Sequence, residues 1–181
     1  MSKLRLIRTA RGAVIAVVLA LVVAAPAAAA SATPIRTVHA PNGFTIPAGQ
    51  ACAFDVAGQP SWGFVAQTVF PDGRVQGSVR IHGAYVNVAT GASYPTADNF
   101  RYLNLTDPAT GFVNVVLDGE AADNFLPGDI GPFGLVTNPN GAFYHFVGKV
   151  WFTINLNTYQ VLAFGYSGTV EDICAALTAN P

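Results

Sequence analysis

Short apolar segments alternate with turn residues along the chain beyond residue 50. The turn residues are Gly and Asn, which accept positive φ, and Pro, which presets φ; their short spacing is typical of an antiparallel meander. The turns predicted in this way lie at 71–73, 90–91, 107–111, 118–119, 127–128, 138–141 and 155–157. They leave room for about eight to ten strands. We therefore expect an all-β, antiparallel meander that forms a small barrel or a sandwich.

The turn at 107–111 allows the first hairpin to be registered. With that turn, Asn104 lies opposite Asn114 and Tyr102 lies opposite Val116. The alternate positions are apolar and share the other face of the hairpin. This alternation predicts a sheet with one buried face.

The hairpin that turns at 156–157 is longer, and both of its faces are apolar enough to need covering, which predicts a central position in the fold. One face combines a lysine and a histidine with aromatic rings, and such polar groups are costly if they are buried unpaired. An apolar surface with a few convergent polar groups is the usual design of a ligand site. The predicted ligand row consists of His145, Lys149, Trp151, Phe164 and Tyr166. The alternative is an outer face on which Lys149 extends over Trp151 and Phe164.

One helix is predicted, at the end of the chain. The segment 169–172 resembles a capping box, and Ile173, Ala176 and Leu177 follow it at helical spacing. Cys174 would lie on this short C-terminal helical turn, and Cys52 would lie on a first strand that spans 51–56.

The start of the chain has the pattern of a cleavable export signal. Basic residues precede an apolar run at 13–23 and an alanine tract, and the small residues at −1 and −3 place cleavage after Ala30, with Ala32 as the alternative. A retained membrane anchor needs about 20 apolar residues, and this run is shorter. The sequence therefore predicts a secreted, extracellular protein without a transmembrane anchor. Its parts are a signal peptide (1–30), an extended N-terminal arm rich in Pro and Gly (31–50) and a single β-domain (51–181).

Removal of the signal leaves an acidic protein. Four of the nine basic residues leave with it and all ten acidic residues remain, which gives a net charge of −5. Phosphate backbones are bound by clustered Lys and Arg. The charge therefore argues against a nucleic-acid partner.

The two cysteines, Cys52 and Cys174, lie at opposite ends of the β-domain. In an oxidising compartment we expect them to form a disulfide, which makes the first and last elements neighbours.

Three segments carry a family resemblance: Cys-Ala-Phe-Asp-Val at 52–56, Phe-Val-Gly-Lys-Val at 146–150 and Ser-Gly-Thr-Val-Glu-Asp-Ile-Cys-Ala-Ala-Leu at 167–177. In these segments the chain resembles a family of small exported actinobacterial proteins with a two-cysteine β-domain. The resemblance implies export and the disulfide. It carries over no catalytic residue and no activity.

Metal and cofactor motifs do not stand out, and we expect neither a metal nor a cofactor. His39, His82 and His145 lie in three separate segments without the paired spacing of a zinc site. The acidic stretch from Asp118 to Asp129 lacks the ligand loop of a calcium site.

Catalytic motifs are equally weak. Residues 165–169 approach a G-x-S-x-G motif, but they end in Thr and no long helix follows, so Ser167 is interpreted as a strand residue. His82 alternates with Arg80 on the face opposite Val79 and Ile81, which predicts that His82 faces solvent.

The sequence therefore favours an exported, non-enzymatic binding module without catalytic residues. Its leading form holds a small apolar or amphipathic ligand inside or at the mouth of a barrel. One alternative is a small barrel enzyme, a cyclase, isomerase or hydrolase with His145 or His82 as base. The other is a cell-envelope or matrix protein whose surface aromatics hold a protein or glycan partner.

Overall fold

The computed structural model of the protein describes residues 33–179. The predicted signal peptide and its cleavage point lie outside the described residues. The elements of these residues, in chain order, are β1 (Ile35–His39), β2 (Phe44–Ile46), β3 (Val56–Val69), β4 (Val75–Asn87), β5 (Ser93–Asp107), β6 (Phe112–Phe125), β7 (Ile130–Gly131), β8 (Gly134–Leu135), β9 (Ala142–Asn155), β10 (Gln160–Asp172) and the helix α1 (Ile173–Ala179).

The predicted all-β antiparallel fold with a short C-terminal helix is confirmed. Eight strands form one sheet in the order β1-β3-β4-β5-β6-β9-β10, in which β2 also pairs with β3, and β7 and β8 form a separate two-stranded ribbon. Among the described strands, β10 pairs only with β9 and lies at one edge, so the sheet does not close into a barrel. The predicted central position therefore holds for β9, which lies between β6 and β10, and is wrong for β10.

Two short strands share the other edge of the sheet. β1 pairs with residues 65–69 of β3, and β2 pairs with residues 56–58 of the same strand. Part of the predicted N-terminal arm is thus incorporated into the sheet. Residues 59–64 of β3 have no partner strand on this side within the described chain.

A row of glycines crosses three neighbouring strands at the same register. Gly119 of β6 pairs with Gly148 of β9, which pairs with Gly168 of β10, and their φ angles are 132°, 135° and 130°. L-residues avoid these angles, and a Cβ on Gly148 would clash with the backbone carbonyl of Ser167. The sequence predicted a turn at 118–119; that prediction is wrong, because Gly119 bends β6 without ending it.

The bend allows the same strands to be buried on both faces. On β9, before Gly148, Phe143 and Phe146 point to opposite faces and are both fully buried. Phe146 belongs to a first core with Val79, Val115 and other inward residues of β3–β6, β9 and β10. Phe143 belongs to a second core, which the helix and the residues around Cys52 cover. The second core contains Ile46, Ala51, Cys52, Val56, Tyr85, Ala122, Phe143, Ile173 and Leu177.

A disulfide closes the second core. Cys52 is bonded to Cys174 across 122 residues of sequence, with a Cα–Cα distance of 5.5 Å. Cys52 lies in a bend before β3, so the predicted strand at 51–56 begins only at Val56. The helix begins where predicted, but its cap is Asp172, whose Oδ1 accepts a hydrogen bond from Ala175 N at 3.0 Å.

No helix in residues 33–179 has the length and hydrophobicity required to cross a membrane.

The predicted register of the first hairpin is wrong by one residue. Asp107 pairs with Phe112, so Asn104 lies opposite Val115 and Tyr102 opposite Leu117. The loop includes Gly111 at φ 69°, which sets the pairing one position away from the symmetric prediction. As a result Tyr102 and Asn104 lie on the buried face.

Replacing both cysteines with Ser should lower the free energy of unfolding by about 4–5 kcal/mol, because the bridge removes a loop of this length from the unfolded ensemble. Urea unfolding followed by circular dichroism measures the loss, and the β-type spectrum at low urea should persist. An unchanged midpoint, with the bond present in the parent protein by mass spectrometry, would contradict the prediction.

Gly148→Ala should lower the free energy of unfolding by about 3 kcal/mol or more, since it adds backbone strain and a clash with Ser167. Gly73→Ala is the matched control: Gly73 has φ 83° but nothing within 4 Å of the added Cβ, so its cost should be about 1–2 kcal/mol. Equal losses in the two variants would show that the glycine row does not hold the bend.

Candidate functional site

The five residues of the predicted ligand row do not share one face. The pairing of β9 with β10 shifts by one residue between Val161 and Ala163. This shift is a β-bulge in which Leu162 is the extra residue. Beyond the bulge, Gly165 lies opposite Trp151 and Tyr166 lies opposite Val150. The sequence register, which placed Phe164 and Tyr166 with Trp151, is therefore wrong.

Phe164 and Tyr166 belong to the first core. The ring centroid of Phe164 lies 5.1 Å from that of Phe125 and 5.5 Å from that of Phe146, and Tyr166 lies 6.2 Å from Phe146. These are packing distances between aromatic rings. The two rings of the predicted row thus fill space between the bent strands.

Trp151 and Lys149 lie on the opposite, outer face of β9. Trp151 is 45% exposed and covers Gly165, where a Cβ would meet its indole ring. Lys149 is exposed, and Asp118 is its register neighbour on β6. The alternative interpretation, an outer face, holds for these two residues, although Phe164 is not beneath Lys149.

His145, the remaining member of the row, lies in a polar cluster on the far side of the glycine row. It is 7% exposed. Tyr94 Oη donates a hydrogen bond to Glu171 Oε2 at 2.7 Å and lies 3.1 Å from His145 Nδ1. In the tautomer with a proton on Nδ1, Tyr94 Oη accepts a hydrogen bond from that N–H. His145 Nε2 then faces Glu120 Oε1 at 3.4 Å and has no hydrogen-bond partner in the described chain.

A buried carboxyl lies on β5 in the same region of the fold. Asp98 accepts hydrogen bonds from Tyr85 Oη at 3.0 Å and from Thr96 Oγ1 at 2.9 Å. Burial raises the pKa of Asp98, and the two hydrogen bonds partly oppose that shift. This arrangement satisfies buried polar groups across β4 and β5, a structural role that the sequence did not predict.

A different surface combines exposed aromatic rings with cations. Trp62 is 52% exposed, its ring stacks on His82 at 4.2 Å with an interplanar angle of 16°, and the Arg80 guanidinium lies 5.7 Å from its centroid. Phe64, also exposed, pairs with Arg80. A bulge between Pro60 and Trp62 sets this orientation, and Ser61 Oγ donates to His82 O at 2.9 Å.

The strand register extends this surface across four strands. The outward rows are Trp62, His82 and Ala97; Phe64, Arg80 and Asn99; Val38, Ala66, Ser78 and Arg101; and Arg36, Thr68, Gln76 and Leu103. They hold three arginines, one histidine and no carboxylate. On β6 two carboxylates border these rows, Asp118 opposite Arg101 and Glu120 opposite Asn99. We call the surface formed by Trp62, Phe64, Arg80, His82, Arg101 and Arg36 the basic aromatic face.

A groove of about 390 Å³ lies on the basic aromatic face. Arg36 and Arg101 line it from different strands, and Thr68, Gln76 and Ser78 line it between them. It joins cationic side chains to hydrogen-bonding groups, which suits an anionic ligand.

Sequence reasoning found part of this face. The alternation of Arg80 and His82 with Val79 and Ile81 predicted that His82 faces solvent, and the pairing with exposed Trp62 agrees. It missed Trp62 as a candidate site residue, because only the pairing of β3 with β4 brings Trp62 beside the two basic side chains. No cluster of His, Cys, Asp and Glu within residues 33–179 has the geometry of a metal site.

No family model matches the chain, and neither a curated protein nor a solved structure matches it.

Asp123→Asn should stabilise the protein above neutral pH. Burial raises the pKa of Asp123 from 3.8 to about 7. The folded state therefore binds this proton more tightly than the unfolded state, and the associated stability, present below pH 3.8, is lost as the pH rises through about 7. The variant should gain free energy of unfolding at pH 8, with an upper limit of about 4 kcal/mol, and little at pH 4.

Urea unfolding at the two pH values measures this difference. Asp107→Asn is the control, because hydrogen bonding from Thr110 lowers the pKa of that exposed carboxyl, so its replacement should bring no gain at pH 8. If Asp123→Asn left the dependence of stability on pH unchanged, the buried carboxyl would not be its cause.

Proposed function

We propose that the protein is an exported, non-enzymatic binding module of the cell envelope that holds its partner on the basic aromatic face. The main support is the exposure and fixed orientation of Trp62. Its indole ring is 52% exposed, yet it stacks on His82 and lies next to the Arg80 guanidinium. Trp and Arg are the residue types that most often dominate binding energy at protein interfaces.

The packing of the interior favours a partner on the outer face over an enclosed ligand. Phe164 and Tyr166 of the predicted ligand row are packed in the first core, where the ring centroids lie 5.1 to 6.3 Å apart. A ligand at that place would have to displace packed aromatic rings, each of which contributes to the stability of the fold.

Export is part of the proposal. The signal pattern of the first thirty residues supports it, as does the resemblance to exported actinobacterial proteins. The Cys52–Cys174 bond is compatible with an oxidising compartment.

The enzyme alternative is weaker because its base is confined. A general base must come within hydrogen-bond reach of the substrate proton. His145 is 7% exposed, and its two ring nitrogens lie 3.1 Å from Tyr94 Oη and 3.4 Å from Glu120 Oε1, which leaves a substrate little access to either nitrogen. His82 is stacked beneath Trp62, where it serves the proposed binding surface.

Trp62→Ala should abolish co-sedimentation of the mature protein with insoluble cell-envelope material from the organism of origin. The variant removes the exposed ring and leaves both cores untouched, so the thermal unfolding transition should remain. Trp151→Ala is the matched control, since Trp151 is 45% exposed on the outer face of β9. Retention of binding in the Trp62 variant, or equal loss in both variants, would reject the proposed face.

A further inference from the structure

We infer that the partner of the basic aromatic face is an acidic polysaccharide, a chain of sugar rings that carry carboxylates. The inference rests on the proposed function and names its ligand class. Such a chain offers flat, apolar C–H faces to Trp62 and Phe64 and carboxylates to Arg80, Arg101 and Arg36.

The distribution of charge is the first argument. Outside the signal the chain has five basic residues against ten acidic ones. Three of the five, Arg36, Arg80 and Arg101, lie on the outward rows of β1 and β3–β5, and these rows hold no carboxylate. Arg36 and Arg80 have no acidic register neighbour in the described chain, Arg101 and Lys149 lie on either side of Asp118, and Arg74 Nε is 2.7 Å from Asp72 Oδ2. An acidic protein thus gathers three of its five cations on one face, which favours an anionic partner.

The long cationic side chains of the basic aromatic face are all arginines: Arg36, Arg80 and Arg101. The planar guanidinium of an arginine binds a carboxylate through two parallel hydrogen bonds. Arg36 and Arg101 line the groove of about 390 Å³, and the hydroxyl and amide groups of Ser78, Thr68 and Gln76 lie between them. A sugar carboxylate can pair with either arginine there, and its ring hydroxyls have donors and acceptors within the same groove.

The length of the face is the third argument. Along β3, Trp62 and Thr68 are six residues apart, a span of about 20 Å at the rise of a strand. Aromatic rings lie at the Trp62 end and the arginine-lined groove at the Thr68 end, with Arg80 between them in register. This extended site suits several linked sugar rings better than a single small anion.

Single-stranded nucleic acid would use the same side-chain types, because it also combines anionic groups with stackable rings. Its affinity comes mainly from neutralised phosphates, and three arginines on a protein of net charge −5 provide few such contacts. The charge balance therefore favours the polysaccharide.

The test is calorimetric titration of the mature, disulfide-bonded protein with four probes at low salt. Oligomers of polygalacturonate carry rings and carboxylates. Their methyl esters keep the rings and lose the charge, poly-glutamate keeps the carboxylates and lacks the rings, and oligodeoxythymidine represents nucleic acid. We expect polygalacturonate to bind, each of the other three to bind at least about tenfold more weakly, and affinity to fall as salt rises.

The variants localise the site. Arg80→Gln and Trp62→Ala should each weaken polygalacturonate binding about tenfold, the loss typical of one charge-assisted hydrogen-bonding or aromatic contact. Lys149→Gln and Trp151→Ala, the corresponding residue types on the outer face of β9, should change it less than about twofold. Circular dichroism melting shows that each variant is folded before its affinity is compared.

Each contrary result overturns the inference in a different way. If poly-glutamate binds as tightly as polygalacturonate, the binding is charge attraction without recognition of sugar rings. If the methyl ester binds as tightly, the arginines do not contribute, and if oligodeoxythymidine binds more tightly, the partner is a nucleic acid. Loss of binding in the control variants moves the site to β9. If no probe binds while Trp62→Ala still abolishes envelope co-sedimentation, the ligand class is wrong and the proposed function stands.

Discussion

The bend at Gly119, Gly148 and Gly168 determines how this single sheet can stabilise a domain. A flat meander buries one face and leaves the other to water. Here the segments of β6 and β9 beyond the bend are covered on both sides, by Phe146 and its aromatic neighbours on one face and by Phe143, the helix and the disulfide on the other. A Cβ at any of the three glycines would collide with backbone of the neighbouring strand, so side chains larger than hydrogen are excluded there.

The bend also decides which surfaces are left for binding. Because the inward residues of β3–β6, β9 and β10 meet in the first core, the enclosed space is filled by rings such as Phe125 and Phe164. The outward rows of β1 and β3–β5 remain uncovered, and they carry Trp62 and most of the basic residues. The polar cluster around His145 differs in character, since Tyr94 and Glu171 are hydrogen-bonded to each other and Tyr94 Oη lies 3.1 Å from the buried His145 ring. The packed cores and the proposed binding surface therefore occupy separate regions of the sheet.

Local chemistry in the sequence was sufficient for the fold class but insufficient for the register. The turns at 71–73, 90–91 and 138–141 fall between strands as predicted, because Gly, Pro and Asn act within a few residues. Gly119 produced the same signal inside a strand, where only the pairing partner distinguishes a bend from a turn. The bulge at Leu162 shifted every later pair of the last hairpin by one and separated Trp151 from Tyr166. The candidate site failed for the same reason, since Trp62 gains its significance from His82 and Arg80 on another strand.

The gap between β1 and β2 leaves residues 59–64 of β3 without a partner strand on one side within residues 33–179. An unpaired edge beside exposed Trp62 and Phe64 would ordinarily be a template on which a second chain could add a strand, the first step towards fibres. Pro60 lies in this gap and has no N–H to offer, and the bulge at Ser61 twists the edge out of regular spacing. The same two residues that lie beside Trp62 therefore make this part of the edge a poor template for the addition of a strand.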